Sequence, residues 1–462
     1  MNATDPLRHG SVMKNSASIA KPHDSATERR LSPDEAFAAA RTELQALVRY
    51  APRSMWEQDT AALPLPLQYL RRHARHFAAR ELAPRALDTD LAPHDRDVER
   101  QVLRSALQAG LFFNSVPHPE EGRPLPLDDY PLAWTASLKN EELAAGCGGW
   151  ALMLAAHALG ATPLVLCGDA ATLARVMEKA KAKGRAGEPY LLAYAITEPA
   201  SGSDVEETRG AAVARPGTIA RPSEGGWRLT GRKLYTSGGD IADAVMVFAA
   251  LEGEGLESWT CFLVERDTPG FTRVRNEVKM GQRASAATEL LLEDVFVPDE
   301  HVIGELREGW ALNRASLNFS RIPVAALALG IARGAVEAAI EFVACFELGG
   351  RPLLEYQEVE LQVAEMIAQL SMMRSTIWEY ARRPIPTQAA ASLAKVSCSD
   401  AALQVCTSAM QLLSNHGVLH RERVEKAWRD VRLTQIYEGT NDINRLAIIE
   451  DLRQSLAGDG GV

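Results

Sequence analysis

The hydrophobic pattern of the chain changes character twice, and this change most constrains the fold. From about residue 32 to 190, alanine- and leucine-rich runs predict helices. Between 191 and 300, short β-like runs such as Ala244–Leu251 and Thr260–Glu265 are separated by clusters of turn-forming residues, which predicts strands. Helices return from about 308, and 357–380 carries one apolar stripe typical of a long helix. The order is therefore helical, then β, then helical.

These transitions predict four segments. Residues 1–30 are polar and mixed in charge, which predicts a disordered tail. An N-terminal α-helical domain is expected over 31–190. Its first helix is expected to begin at Ser32, a residue type that caps helices well, with Glu35 in the first turn. A central β-domain is expected over 191–305 and a C-terminal helical domain over 306–462.

Composition narrows the class of function. The 462 residues include 60 acidic and 50 basic side chains, and a net charge of -10 argues against a broad grip on nucleic acid. The six cysteines form no CxxC pair and most sit in apolar surroundings, which favours free buried thiols in a reducing, cytoplasmic compartment and no metal site. The apolar stretch from Trp150 to Cys167 contains a proline and is interpreted as a buried core helix, with no membrane span.

Two segments of the β region combine small, aromatic and hydroxyl-bearing residues. The segment from Tyr194 to Asp204 leaves an apolar run and enters a turn, where Gly202 lets the backbone approach a planar ligand closely. This is either a loop for a ring system or phosphate, or an ordinary β-turn. In 231–239, Tyr235 and Ser237 share one face of a strand, where they either flank a ligand or pack.

The segment 435–445 contains a candidate general base. Glu438 lies between Tyr437 and Gly439 beside apolar residues. Burial would raise the pKa of such a carboxyl and make it a usable base. The alternative is a solvated glutamate at a helix end.

The segments 194–204, 231–243, 279–298 and 428–445, in this order, resemble the acyl-CoA dehydrogenase family. The resemblance covers roughly residues 65 to 455 and includes Glu141-Glu142 and Arg321. It implies an α+β multidomain protein with an N-terminal helical domain, a central β-barrel-like domain and a C-terminal four-helix bundle. It also implies FAD between the last two domains and a homo-oligomer, a dimer or tetramer, whose neighbouring subunit completes the site.

The same resemblance implies roles for individual residues. Glu438 is the expected base that removes an α-proton of an acyl thioester while a hydride passes from the β-carbon to the flavin, and the backbone N–H of Glu438 is expected to polarise the thioester carbonyl. The residues expected to bind FAD are Tyr194, Ile196, Thr197, Gly202, Ser203, Tyr235, Thr236, Ser237, Gln357, Gln411, Thr440 and Asp442. The residues expected to contact substrate are Ser203, Asn318, Arg321 and Gly439.

The sequence departs from the family pattern at the inter-subunit FAD contact. Phe346 stands where the family carries an arginine for the FAD pyrophosphate, and Ser414 and Asn415 replace two glycines of a glycine-rich motif. Losing a charge-assisted pair to a phosphate costs about 1.5–3 kcal/mol, so we expect weaker FAD binding, other binding groups or an altered dimer. Asn318 and Tyr235 replace the family's aspartate and tryptophan, which leaves the substrate carrier open.

Three functions remain open at this point. The first is FAD-dependent dehydrogenation of an acyl-CoA or acyl-carrier-protein thioester, with an electron-transfer flavoprotein as acceptor. The second is a flavin monooxygenase on the same fold, similar to dibenzothiophene monooxygenases, which would need no base at Glu438. The third is a non-catalytic binding protein, which the altered FAD motif favours and Glu438 disfavours.

Overall fold

A computed structural model describes residues 32, 34–35, 38, 41, 53–112, 115–206 and 208–459. The predicted disordered tail, 1–30, lies outside the described residues. The chain divides into one compact unit up to Asp59 and another from Thr60 onward. In the first unit, the Glu35 N–H donates to Ser32 Oγ at 3.2 Å and the Ser32 N–H donates to Glu35 Oε2 at 2.9 Å. This reciprocal capping box confirms the predicted N-cap.

Helices dominate the described chain before the first strand. Their bounds are α1 (Met55–Ala61), α2 (Leu65–Phe77), α3 (Ala86–Leu91), α4 (Arg96–Gln108), α5 (Leu132–Gly146), α6 (Gly148–Leu166) and α7 (Ala170–Arg185). Helix α6 contains the stretch expected to be a core helix. Its most apolar window is 67% buried, as is typical of a helix that is apolar on all sides inside a protein. Trp150 is fully buried there.

The central region is a sheet of eight strands. They are β1 (Leu192–Ala195), β2 (Ile219–Ser223), β3 (Gly226–Ser237), β4 (Ala244–Leu251), β5 (Thr260–Glu265), β6 (Phe271–Asn276), β7 (Ala287–Pro298) and β8 (Val302–Ile303), and the short helix α8 (Thr208–Ala211) lies between β1 and β2. The strand order is β6-β7-β3-β2-β4-β5-β8, with β1 parallel to β4. The two runs expected to be strands are β4 and β5, so that prediction is confirmed.

Strand β4 is buried on both faces, and alternate residues enter different cores. Val245 and Val247 belong to a core that also contains Phe262 of β5 and Leu290 of β7. Strands β4, β5 and β7 therefore share one apolar interior. Phe248 points to the opposite core, which includes residues of helix α6. The β-region therefore curls around its own interior and packs its outer face on helices.

Long helices form the C-terminal region. They are α9 (Gly309–Cys345), α10 (Gln357–Ala381), α11 (Gln388–Leu412), α12 (Val424–Leu433) and α13 (Asn441–Asp459), with a hairpin of β9 (Glu347–Leu348) and β10 (Arg351–Pro352) after α9. Helix α11 packs against α9, α10 and α13, so four long helices form the predicted bundle. Helix α9 is apolar enough to span a membrane, but 89% of its most apolar window is buried inside the protein. The predicted three-part architecture is confirmed, whereas the proposed domain boundaries stay a prediction.

A buried charge cluster joins the first helices to the bundle. Arg71 of α2 donates to Glu142 Oε1 at 2.8 Å and to Glu141 Oε1 at 3.1 Å. Arg374 of α10 reaches Glu141 at 2.8 Å, and Arg333 of α9 reaches Glu142 at 2.6 Å. Because buried charges are tolerated only when they are paired and hydrogen-bonded, the cluster fixes how α2, α5, α9 and α10 pack.

The six cysteines form no disulfide, and all six are described. Four of them are buried, as expected from their apolar surroundings. Cys167 is half-buried and Cys345, at the end of α9, is exposed, so the expectation of buried thiols does not extend to these two.

Candidate active site

A cavity of about 340 Å³ lies where helices α6 and α9, the β1–β3 region and the loop before α13 meet. Its volume is within the range of small-molecule sites. Helices α6 and α9 supply one apolar wall, formed by Leu152, Ala155, Ala156, Leu159, Leu317, Val324 and Leu327. The rest of the lining is more polar and contains most of the residues expected at the site: Tyr194, Ile196, Thr197, Gly202, Ser203, Tyr235, Ser237, Glu438, Gly439 and Thr440. The structure thus brings three distant sequence segments to one cavity.

The remaining predicted site residues do not line the cavity. Thr236 is buried beside it, and its Oγ1 has no hydrogen-bond partner among the described residues. Gln357, Gln411 and Asp442 are exposed on the bundle surface. Such positions suit contacts to parts of a ligand outside the cavity or to a second subunit, and their predicted roles in FAD binding stay predictions.

Strand β3 is held beside the turn that follows β1. The Leu234 N–H donates to Thr197 O at 2.8 Å. The buried Lys233 Nζ donates to Ile196 O at 3.0 Å and to Glu198 Oε1 at 2.7 Å. A register shift between Lys233 and Thr236 gives Tyr235 a φ of 55°, and its side chain is 59% exposed. This bulge presents Tyr235 and Ser237 at the cavity.

The Tyr194 side chain is held by residues that do not line the cavity. Its hydroxyl donates to Asn313 Oδ1 of helix α9 at 2.8 Å, and its ring packs on Phe248 with 5.1 Å between centroids. These contacts join the β-region to the bundle at the cavity.

Glu438 occupies a tight turn between helices α12 and α13. Its φ is 54° and that of Gly439 is 82°, so two successive residues are in the left-handed region. Ser320 Oγ donates a short hydrogen bond to Glu438 Oε2. Glu438 lines the cavity and is half-buried there. This burial raises the pKa of Glu438 to about 7, while Ser320 and Arg321 oppose the rise.

Arg321 lies behind the cavity wall. Its side chain is buried, with Nε 3.3 Å from Glu438 O and Nη2 3.2 Å from Glu206 Oε2. Its Nη1 is 3.3 Å from Asn318 Oδ1. Arg321 and Asn318 were expected to contact substrate. The structure instead shows them bound to each other, and Arg321 is also bound to the turn that contains Glu438 and Gly439, here called the base turn. A contact of either residue with substrate stays a prediction.

Sequence analysis missed three residues of this site: Glu206, Ser320 and Lys395. Lys395 is fully buried on helix α11, and its Nζ donates to Gly439 O at 2.6 Å and to Asn441 Oδ1 at 2.8 Å. Burial lowers the pKa of Lys395 to about 7, and Arg321 adds to the effect. A lysine directly after the alanine-rich run 389–394 was the available signal, since lysine is almost never fully buried unless it is paired.

Elsewhere, the structure brings together two groups of one histidine and two carboxylates: Asp90, His420 and Glu425, and His94, Glu99 and Asp240. Arg429 pairs with both acids of the first group, at 2.6 and 2.8 Å. Arg96 pairs with both acids of the second, at 2.6 and 2.7 Å. These carboxylates therefore already have cationic partners.

Comparisons with known proteins agree with this geometry. The N-terminal, middle and C-terminal domain models of acyl-CoA dehydrogenase match residues 67–183, 193–295 and 307–452. An acyl-CoA dehydrogenase of Bacillus subtilis is 31% identical over 387 residues, which are 82% of this chain and 96% of the relative. The mitochondrial short-chain specific acyl-CoA dehydrogenase of Bos taurus is 32% identical, over 86% of this chain and 92% of the relative.

A solved structure gives the same result. Butyryl-CoA dehydrogenase from Megasphaera elsdenii superposes with a TM-score of 0.72 at 30% identity, and the match covers 84% of this chain and 98% of that one. The fold and cavity define a flavoprotein oxidoreductase of acyl thioester metabolism. The chain belongs to the acyl-CoA dehydrogenase family, and the resemblance found in the sequence is confirmed.

Proposed function

We propose that this chain removes one hydrogen each from the α and β carbons of an acyl thioester, with FAD as cofactor and Glu438 as the base. The observation that carries the proposal is the Glu438 carboxyl, which faces an otherwise largely apolar cavity and has its pKa raised to about 7 by burial. A carboxyl in that range accepts a carbon-bound proton near neutral pH far better than a solvated glutamate does.

The residues around the cavity fit a flavin. The apolar residues of α6 and α9 would cover a planar ring, and Thr197 and Ser237, which also line the cavity, carry hydroxyls that could bond its polar edge. Bound FAD would supply the hydride acceptor for the β-carbon. Thr440 of the cavity lining, with the exposed Asp442, Gln357 and Gln411, would bind the remainder of FAD.

The turn at Glu438 also supplies a hydrogen-bond donor for the thioester. The backbone N–H of Glu438 donates to no other described residue, so it is available to a ligand. A carbonyl oxygen bound to this N–H would gain stabilisation as negative charge develops on it during removal of the α-proton. Lys395 and Arg321 fix the turn, because they hold the carbonyls of Gly439 and Glu438. The Glu438 carboxyl, as the base, and the Glu438 N–H, as the hydrogen-bond donor, are thus positioned by the same turn.

The remaining parts of the proposal rest on the family resemblance. The electron acceptor is an electron-transfer flavoprotein, the protein works as a dimer or tetramer, and it is cytoplasmic. The choice between coenzyme A and a carrier protein as the thioester carrier is left to experiment. Retention of a cavity-facing Glu438 favours dehydrogenation over the monooxygenase and binding-protein alternatives.

The test is anaerobic titration of the purified flavoprotein with acyl thioesters, followed by the loss of flavin absorbance. Wild type is expected to bleach, and Glu438→Gln is expected to keep its bound flavin but to bleach at least about a thousandfold more slowly, because the base is gone. Glu224→Gln, which removes an exposed turn carboxylate far along the chain, is the matched control and is expected to bleach like wild type. Undiminished bleaching by Glu438→Gln would exclude Glu438 as the base.

A further inference from the structure

The ionisable side chains that line the cavity are acidic, and their basic partners lie outside the lining. Among the described residues that line it, Glu206 and Glu438 carry carboxyls, and none is a lysine, arginine or histidine. The basic partners of these carboxyls, Arg321 and Lys395, lie behind the wall. The acidic ends of this buried network therefore face the ligand and the basic ends face the protein.

Glu206 is held firmly in this position. It follows the turn after β1, is only 7% exposed, and its Oε2 accepts from Arg321 Nη2 at 3.2 Å. A Cβ added to Gly439 would lie 2.3 Å from the same oxygen, so the carboxyl rests against the backbone of the base turn. No described residue donates a hydrogen bond to Glu206 Oε1. One carboxyl oxygen is thus fixed, and the other is left for a ligand.

The basic groups cannot turn toward the ligand without losing their own bonds. Arg321 contacts Glu438 O, Glu206, Asn318 and Ser392. The Lys395 amine donates to Gly439 O and to Asn441 Oδ1. A substrate group that reaches Glu206 therefore meets carboxyl oxygen first, with no cation within the cavity wall to offset it.

We infer that Glu206 is a specificity-determining residue that selects acyl groups bearing no negative charge, favours those with an ammonium or other hydrogen-bond donor, and rejects those that end in a carboxylate. The inference deepens the proposed function and rests on it. An anionic acyl end would lie beside a fixed carboxyl in a poorly solvated cavity, where like charges repel strongly. A donor would instead satisfy the free Oε1.

The test compares three six-carbon acyl groups on one carrier: hexanoyl, adipoyl with a terminal carboxylate, and 6-aminohexanoyl with a terminal ammonium. The second-order rate constant of anaerobic flavin reduction, kred/Kd, is measured at about pH 8 for wild type, Glu206→Gln and Glu206→Asp. We expect wild type to discriminate against adipoyl, and Glu206→Gln to reduce the hexanoyl-to-adipoyl ratio by at least about tenfold, the size of one charge interaction at partial screening. The 6-aminohexanoyl-to-hexanoyl ratio should fall in the same variant, and Glu206→Asp should keep the wild-type order.

Binding provides a second measurement, independent of turnover. In the Glu438→Gln background, calorimetry with the three thioesters should show the same order of dissociation constants, and adding Glu206→Gln should bring the adipoyl value toward that of hexanoyl. Glu224→Gln removes an exposed charge away from the cavity and should leave all ratios unchanged, which excludes an effect of net charge. Flavin content and the urea midpoint of each variant identify variants that do not fold.

The two proposals fail in different ways. If none of the thioesters bleaches the wild-type flavin, the proposed dehydrogenation is wrong. If hexanoyl bleaches it but wild type accepts adipoyl equally well, or if Glu206→Gln folds and leaves the ratios as they were, the inference about Glu206 is overturned while the dehydrogenation stands.

Discussion

The hydrogen bond from Ser320 to Glu438 makes a quantitative prediction about the pH dependence of catalysis. Burial raises the pKa of Glu438 to about 7, and the Ser320 hydroxyl opposes that rise because it donates to the carboxylate. A hydrogen bond to a charged group contributes about 1.5–3 kcal/mol, and one pKa unit corresponds to about 1.4 kcal/mol. Ser320→Ala should therefore raise the pKa of Glu438 further, by about one to two units.

The assay is the pH profile of kred/Kd, the second-order rate constant of anaerobic flavin reduction by the thioester. The base works only when ionised, so the rate rises with pH through the pKa of Glu438. At about pH 6, Ser320→Ala should be roughly ten- to a hundredfold slower than wild type, and the two should converge at high pH where both carboxyls are ionised. Ser397→Ala, which removes an exposed hydroxyl bonded to the Leu393 carbonyl on helix α11, is the control. A midpoint in Ser320→Ala that stays in place or moves to lower pH would refute the assigned role of the hydroxyl.

Other consequences concern the same turn. The pKa of Glu438 is raised from 4.5 to about 7 on folding, so the stability that Glu438 contributes is fully present below pH 4.5 and is lost as pH rises through 7. Glu438→Gln should abolish this loss, which is about 3 kcal/mol. The urea midpoints of the variant at pH 4 and pH 8 should therefore differ less than those of wild type. Gly439→Ala should destabilise the protein by at least about 1–2 kcal/mol in urea unfolding, since its φ is 82° and the new Cβ would meet the Glu206 carboxyl. Lys395→Met should keep bound flavin but lower the rate constant of anaerobic flavin reduction and move its pH midpoint upward, since it removes an amine that favours the ionised base and holds Gly439 O and Asn441. A wild-type rate constant and midpoint in this variant would contradict the assigned role.

Much of the fold could be predicted from the sequence because its signals are local. The all-apolar run of β4 predicts a strand buried on both faces, and that is how Ala244–Leu251 is placed. The stripe on helix α10 predicts which face is buried, and Val363, Leu370 and Ile377 are indeed buried there. In both cases the period of the side chains along one element determines the result.

The site was predictable only in part. The motifs that carry Tyr194, Ser237 and Glu438 were found, because each combines residue types that are unusual together. Their meeting in one cavity came from the family resemblance, since nothing in the local pattern states which loops adjoin. The contacts of Ser320 and Lys395 with the base turn join three separate helical segments and have no local signature.

The left-handed backbone at two positions is a further case. Tyr235 and Glu438 have φ values of 55° and 54°, which side chains other than glycine rarely adopt. Sequence alternation predicted that Tyr235 and Ser237 share a face, and both do line the cavity, but the bulge that presents them was not foreseen. Both strained residues lie at the cavity, where tertiary contacts such as those of Lys233 and Lys395 hold the backbone.

The altered FAD contact can now be explained by packing. The resemblance assigns a cation to the position of Phe346, yet the Phe346 ring stacks on Phe342 with 5.0 Å between centroids and meets His416 at 5.3 Å. Phe342 also contacts His416, so the three rings form one cluster between the end of helix α9 and the turn after α11. Apolar ring faces at this position offer no charge-assisted bond to a phosphate. Phe346 is therefore matched by its aromatic neighbours, and its ring supplies no cation for a phosphate.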